Sequence, residues 1–410
     1  MARYLVYTTP ARGHLYPVIP ALEELRRRGH QIAIRTLSAE VSLLQGLGFS
    51  AAPVDPSIEQ VRFDDFHART PFGVAQRLME HIGEQARLSV PDCQGAIEEE
   101  QPDAVVVDMR SFGAAFASEA SGLPWAYYSV SVPEFPSRDA PPSGPGLAPR
   151  HDLVGRLRDR TVSALRTLTV RGKAREYLEP LRAQLDLPPR RGITEYVRAG
   201  QVAVFYTAEP FEYPRSDWPS NVRLVGPGIW DPPAEPPEWL GQAEAPIVLV
   251  STSTDFEDNG RLIDTALQAL AGEDVVVIAT SPLVDPETFS VPANARVERF
   301  APHGPILPRA TCVVSHGGYG ISQKALAAGV PVCVVPFGRD HFETARRVEV
   351  CGAGTRLPAR RLNPDSLRQA VREAIGKREG ARRIAAAFEE AGGAPAAADA
   401  YEELLGRTSS

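Results

Sequence analysis

Two glycine–histidine loops hold the residues of this chain whose types and spacing could do chemistry. The first is Gly13-His14, behind a strand-like apolar run at residues 4–8. The second is His316-Gly317-Gly318-Tyr319-Gly320, behind a β-branched run at residues 311–315 and ahead of a helix that ends at Gly329. Glycines at a strand-to-helix turn let backbone N–H groups approach an anion closely, and a helix N-terminus adds about half a positive charge. The second loop is therefore a candidate phosphate seat with a histidine beside it. A second buried strand at residues 330–336 follows, and Gly338-Arg339-Asp340-His341 opens the next helix.

These loops need elements to position them. Residues 4–8 read as a buried strand, residues 18–28 as a helix with Pro17 in its first turn and Gly29 beyond its end, and residues 31–36 as a strand. Such a βαβ opening predicts a parallel, doubly wound α/β sheet. There is no GxGxxG at its first turn, so a dinucleotide site is not expected there. Residues 39–46 (helix), 49–54 (strand), 71–100 (mainly helix), 104–107 (strand, ending at Asp108), 111–121 (helix) and 125–129 (strand) follow, with residues 55–70 irregular. Residues 133–149 are rich in Pro, Gly and Ser and read as a loop. Residues 153–185 alternate arginine with leucine and valine, as a surface helix pair or part of a binding pocket would.

Strands at residues 202–206 and 222–225 complete a first domain, residues 1–225. Residues 226–245, with Pro232, Pro233, Pro236 and Pro237, make a semi-rigid linker. A second βα series occupies residues 246–390, with strands at 247–251, 275–279 and 295–299 and a helix capped by Asn363-Pro364. Residues 391–410 end a last helical segment. The chain is thus read as two facing Rossmann-like domains with parallel sheets and a cleft between them.

Residues 300–347 also resemble a known family. Phe300-Ala301-Pro302, then HGGxG at residues 316–320, then AxxxGVPxxxxPxxxD from Ala325 to Asp340, is similar to the sugar-donor signature of nucleotide-sugar-dependent family 1 glycosyltransferases. Bacterial antibiotic and natural-product enzymes form one branch of that family. The resemblance is strong over residues 300–340, fair at the first loop and at Asp108, and thin across residues 55–101 and 133–201, the expected acceptor loops. It implies the GT-B architecture and an inverting transfer of a hexose or deoxyhexose to a hydroxyl of a small hydrophobic acceptor.

The resemblance makes His14, in the G-H-x-x-P loop, the general base. An unperturbed imidazole titrates near ~6.5 and can take a hydroxyl proton. Asp108, at the C-terminal end of a central strand, is the matching carboxylate to orient it. The alternative for both is structural: His14 and Asp108 could each cap the helix that follows. On the donor side, Gly13, His316, Gly317, Gly318, Gly320 and Ser322 would meet the nucleotide sugar and its diphosphate, with Thr252, Ser253 and Thr254 adding hydroxyl and amide donors. Phe300 would stack on the nucleobase, Ala301 and His303 would read its edge, and Asp340 with His341 would hold sugar hydroxyls.

Three residues depart from the family pattern: Lys324 stands where many relatives have a glutamate on the ribose, His341 replaces Gln and Thr344 replaces Asn. A carboxylate bridging two ribose hydroxyls has less to do on deoxyribose, so dTDP is favoured over UDP. The chain contains no Asp-x-Asp pair, so diphosphate departure aided by fixed donors, without a metal or other cofactor, is expected.

Composition limits the rest. A chain of 410 residues suffices for two cores. A net charge of −7 argues against nucleic-acid or anionic-membrane partners, and no apolar run approaches the ~18 residues of a membrane span. Cys93, Cys312, Cys333 and Cys351 show no CxxC spacing, as in a reducing cytoplasm. A homodimer is open. So are two alternatives: a non-catalytic sugar-nucleotide-binding partner of a transferase, and a sugar-nucleotide epimerase on the same architecture.

Overall fold

A computed structural model describes residues 1–61, 71–150, 152–190, 192–241, 245–252, 259–338 and 340–406. Its strands are β1 Arg3–Tyr7, β2 Gln31–Thr36, β3 Ser50–Pro53, β4 Ala104–Asp108, β5 Trp125–Ser129, β6 Val202–Phe205, β7 Val222–Leu224, β8 Ile247–Ser251, β9 Val276–Thr280, β10 Ala295–Glu298, β11 Ala310–Ser315, β12 Val332–Val334 and β13 Gly354–Arg356. They form a seven-stranded sheet in the order β3-β2-β1-β4-β5-β6-β7 and a six-stranded sheet in the order β10-β9-β8-β11-β12-β13. The pairings are parallel.

Both faces of each sheet are covered, and side-chain alternation decides which residue goes where. In β1, Tyr4 and Val6 enter one core layer while Leu5 and Tyr7 enter the opposite one. In β8, Ile247 and Leu249 face one layer and Val248 and Val250 the other. This is why the strands read as continuous apolar runs.

The chain departs from the sequence reading locally. The helical stretch after β1 starts earlier than residue 18: Arg12–Leu15 is one α turn, Tyr16–Val18 is 3-10, and Ile19–Arg27 is the main helix. The reason is that the Ala11 carbonyl accepts from both His14 N and Leu15 N, so the loop itself winds up. Pro56–Gln60 is a short helix capped by Asp55, whose carboxylate accepts from Ser57 N, rather than irregular chain. The cap predicted at Asn363 is present, and it takes the form of a capping box with Ser366 as its partner.

The last helical segment is two helices, Arg378–Glu390 and Gly393–Gly406. The second lies in the core layer of the first sheet with Ala397, Tyr401 and Leu404. Tyr401 is sealed there between Tyr4, whose hydroxyl donates to its carbonyl, and the hydroxyl of Tyr206. Arg28 and His30 reach Glu402 at 2.7 and 2.8 Å.

Candidate active site

Each sheet has one point where neighbouring strands send their following helices to opposite faces, β1/β4 in the first and β8/β11 in the second. At such switch points the carboxyl ends of the strands open a crevice for ligands. His14 follows β1 and Asp108 ends β4. Thr252 follows β8 and His316 follows β11. The residues singled out in the sequence therefore fall at the two places where an open α/β sheet binds.

At the first switch point, Asp108 is buried and its Oδ2 lies 2.7 Å from His14 Nδ1. Oδ2 also accepts from Thr9 N at 3.3 Å, and Oδ1 accepts from Arg110 N at 2.9 Å. Burial opposes ionisation of this carboxyl. The charge and hydrogen bond of His14, with the Arg110 and Thr9 donors, outweigh it and hold Asp108 below the ordinary carboxylate range. An ionised carboxylate only accepts, so Nδ1 of His14 carries a proton, and in the neutral form of the ring Nε2 is the acceptor. His14 keeps 23% of its side chain exposed while Asp108 keeps 1%. The imidazole is thus anchored from behind and wet in front. Neither residue acts as a side-chain cap of its helix.

Arg110 was not singled out in the sequence. Its guanidinium pairs with Glu134 at 2.8 Å. Glu134 raises its pKa, burial works against this, and Asp340 and Asp108 add to the rise, so a firm cation stands within electrostatic reach of carboxylates from both halves of the chain.

At the second switch point, Ser315 is in register with Ser251, which brings the ends of β8 and β11 together. His316 is 6% exposed, and its Nδ1 lies 3.5 Å from the Ser251 carbonyl. Gly317 has φ +108, and a Cβ there would come within 2.8 Å of the His341 Cβ. Glycine is needed for both reasons. Gly318 is the N-cap of helix Tyr319–Ala327, with no side chain on the first-turn amides. The rings of His316 and His341 meet edge-to-face at 4.8 Å. Asp340 is the N-cap of helix His341–Val350, yet its carboxylate makes no capping hydrogen bond.

Two expected anion contacts are turned inward. Ser322 is fully buried and its hydroxyl donates to the Gly318 carbonyl at 2.9 Å, the i−4 bond open to a helical serine. The Thr252 hydroxyl donates to the Thr280 carbonyl at 2.9 Å. Gly13 sits exposed on the Arg12–Leu15 turn. Ser253 and Thr254 lie outside the described residues.

Phe300 is 62% exposed, a flat aromatic face at the rim, with the Ala301 backbone buried next to it. His303 titrates near 4: burial disfavours its cation, Lys324 repels it, and Asp231 only partly compensates. At neutral pH it is an uncharged ring with one donor and one acceptor, the same pair of functions as a glutamine amide. Lys324 is not a solvated helix residue. Its ammonium pairs with Asp231 at 2.5 Å and donates to the Trp230 carbonyl at 2.6 Å, and Asp231 also accepts from Gly304 N at 3.1 Å. Asp231, from residues 226–245, thus supplies the carboxylate that pairs with Lys324.

Comparison with known proteins agrees with this geometry. The family described as erythromycin biosynthesis protein CIII-like, C-terminal domain, matches residues 263–404. Over 389 residues the chain is 36% identical to 4'-demethylrebeccamycin synthase of Lentzea aerocolonigenes, covering 91% of this chain and 92% of that protein. The chain belongs to the nucleotide-sugar-dependent glycosyltransferases of antibiotic biosynthesis. The fold of this glycosyltransferase is that of the calicheamicin glycosyltransferase CalG4, with TM-score 0.76, 22% identity and full coverage of both chains. It is also that of the glycosyltransferase VinC, solved in complex with dTDP, with TM-score 0.72, 21% identity and 98% coverage of each. The architecture, two parallel α/β sheets, is GT-B. Among the described residues of the transferase, no helix is long and apolar enough to cross a membrane.

Arg110, Glu134, Asp231 and Glu343 of the transferase escaped the sequence reading. Each matters through a partner far away in the chain, and no local pattern marks such a pairing. The one usable signal was Lys324. A lysine in a glutamate's place calls for a carboxylate somewhere, and Asp231 is it.

Proposed function

We propose that this glycosyltransferase moves a hexose or deoxyhexose from a nucleoside-diphosphate sugar to a hydroxyl of a hydrophobic natural-product aglycone, with inversion and without a metal. The observation that carries the reading is the 2.7 Å contact between His14 Nδ1 and Asp108 Oδ2 at the switch point of the first sheet. His14 Nε2 takes the acceptor proton as the acceptor oxygen attacks the anomeric carbon in line. The bond from that carbon to the phosphate oxygen breaks, and its electron pair leaves with the nucleoside diphosphate. Asp108 stabilises the imidazolium that forms.

The leaving diphosphate sits on the first-turn amides of helix Tyr319–Ala327 beside His316, where the helix dipole favours negative charge. Phe300 stacks on the base, while Asp340 and His341 hold the sugar. Lys324 and Asp231 occupy each other, so Asp231 is not free to hold a ribose 2′-hydroxyl, which supports dTDP over UDP. The VinC complex with dTDP is consistent with that preference on the same fold.

The test is His14→Ala. It should abolish transfer from dTDP-glucose to a panel of phenolic and alcoholic aglycones, read by mass spectrometry, while titration calorimetry shows unchanged affinity for dTDP. Wild-type turnover in the variant would remove His14 as base. Retained activity after EDTA treatment checks the metal-free reading.

A further inference from the structure

We propose that Glu343 is a positioning residue that hangs loop 133–149 on the helix holding the donor sugar, so that donor binding sets the acceptor side of the site. This rests on the reading above, which places the sugar against Asp340 and His341.

The loop touches the chemistry at both ends. Near its start, Glu134 pairs with Arg110, whose backbone N–H also holds Asp108. Further along, the backbone N–H groups of Gly144 and Gly146 both donate to Glu343 Oε1, at 2.7 and 2.8 Å. Arg346 Nε donates back to the Gly146 carbonyl at 2.8 Å. Gly146 has φ +61, and a Cβ there would lie 2.5 Å from the Phe342 carbonyl oxygen, so loop and helix backbones are pressed together.

Glu343 cannot swing away to release the loop. Its Oε2 accepts from Arg347 Nη1 at 2.8 Å, and Arg347 also grips Glu212 through Nε and Nη2 at 2.7 and 2.9 Å. Arg215 adds a third cationic contact to that buried carboxylate. Meanwhile Glu343 N bonds the Asp340 carbonyl at 3.0 Å, in the first helical turn. A ligand that orders Asp340 and His341 therefore orders the carboxylate holding Gly144 and Gly146. Hydrogen bonds from backbone amides to a fixed carboxylate are strong enough to pass this on. Coupling between two ligands requires such a differential contact, and distance alone does not supply it.

Hydrogen exchange with dTDP as the probe tests this, on the full chain. In the wild type, saturating dTDP should slow exchange about tenfold both along His341–Val350 and at Gly144 and Gly146, as closure of a local opening does. In Glu343→Gln the helix should still be slowed by dTDP while the loop is not, because a neutral amide has a single acceptor oxygen for three donors. Gly146→Ala leaves every charge in place and should give a loop that exchanges fast with or without dTDP. Loop protection by dTDP that survives in both variants would overturn the proposal. So would a wild type in which the helix is protected and the loop is not. If dTDP protects neither segment of the wild type, the donor reading itself falls and takes the proposal with it.

Discussion

His14 Nδ1 and Asp108 Oδ2 stand 2.7 Å apart although 94 residues separate them in the chain. β1 and β4 are hydrogen-bonded neighbours; Asp108 ends β4 and His14 lies on the helical turn that follows β1. The carboxylate is sealed and ionised and is itself held by Thr9 N and Arg110 N, so it offers the imidazole a fixed acceptor.

Asp108→Asn should therefore act on turnover and not on donor affinity. The amide keeps the shape but loses the charge and can present the wrong group to Nδ1. Turnover is expected to fall about 10²–10⁴-fold, the usual worth of positioned general-base catalysis. Initial rates with dTDP-glucose, compared with calorimetric affinity for dTDP, check this. A rate within about twofold of wild type would count against the base–orienter pair.

Gly317→Ala tests the phosphate seat. The substitution forces a side chain into a left-handed backbone and against His341, so the turn must open. Affinity for dTDP should drop at least tenfold, a change of about 1.4 kcal/mol. His14 is untouched, so residual turnover at saturating donor should fall far less than affinity does.

Lys324→Glu should loosen donor selection. Two carboxylates would then face each other at Asp231, and one is released toward the ribose. The ratio of UDP to dTDP affinity is expected to rise. A ratio that stays as in the wild type would take Lys324 out of donor choice.

Lys324→Ala has its own readout in His303. The lysine is second to burial among the causes that hold His303 near 4, and Asp231 pulls the other way. Without the lysine the histidine should titrate higher, closer to an ordinary imidazole. An NMR titration of the histidine ring protons measures the shift directly.

Glu212 gives a prediction for stability against pH. Burial opposes its ionisation, and Arg347, then Arg215, outweigh the burial, so it stays below the ordinary carboxylate range. A depressed carboxyl contributes stability that is fully present above the unfolded value of about 4.3 and is lost as pH falls through the folded one. Glu212→Gln leaves buried Arg215 without its counter-charge, while Arg347 keeps Glu343, and should cost about 3–5 kcal/mol at neutral pH. Its stability should also fall less steeply than that of the wild type on acidification below about pH 4.5. Urea unfolding of both proteins across that range decides it.

Much of this was legible in the sequence because it is local chemistry. The strands announce themselves as apolar runs because both sheet faces are covered. The HGGxG turn is readable because only glycine tolerates the backbone at Gly317 and its approach to His341. Ser322 and Thr252 show the limit. Their types suit an anion, but their hydroxyls bond backbone carbonyls, a choice made by rotamer and packing.

The sequence alone determined the two α/β halves, the glycine turns and the residue types that could serve as base, orienter and anion seat. It did so because strand period, helix caps and turn chemistry are properties of neighbours in the chain. Only the tertiary structure decided which of those residues meet. It brought His14 to Asp108, Asp231 to Lys324, and Glu343 to Gly144 and Gly146. Each of these is a pairing of a charge with a partner dozens of residues or more away. Strand order and domain contact set such pairings, and neither is written in any short stretch of chain.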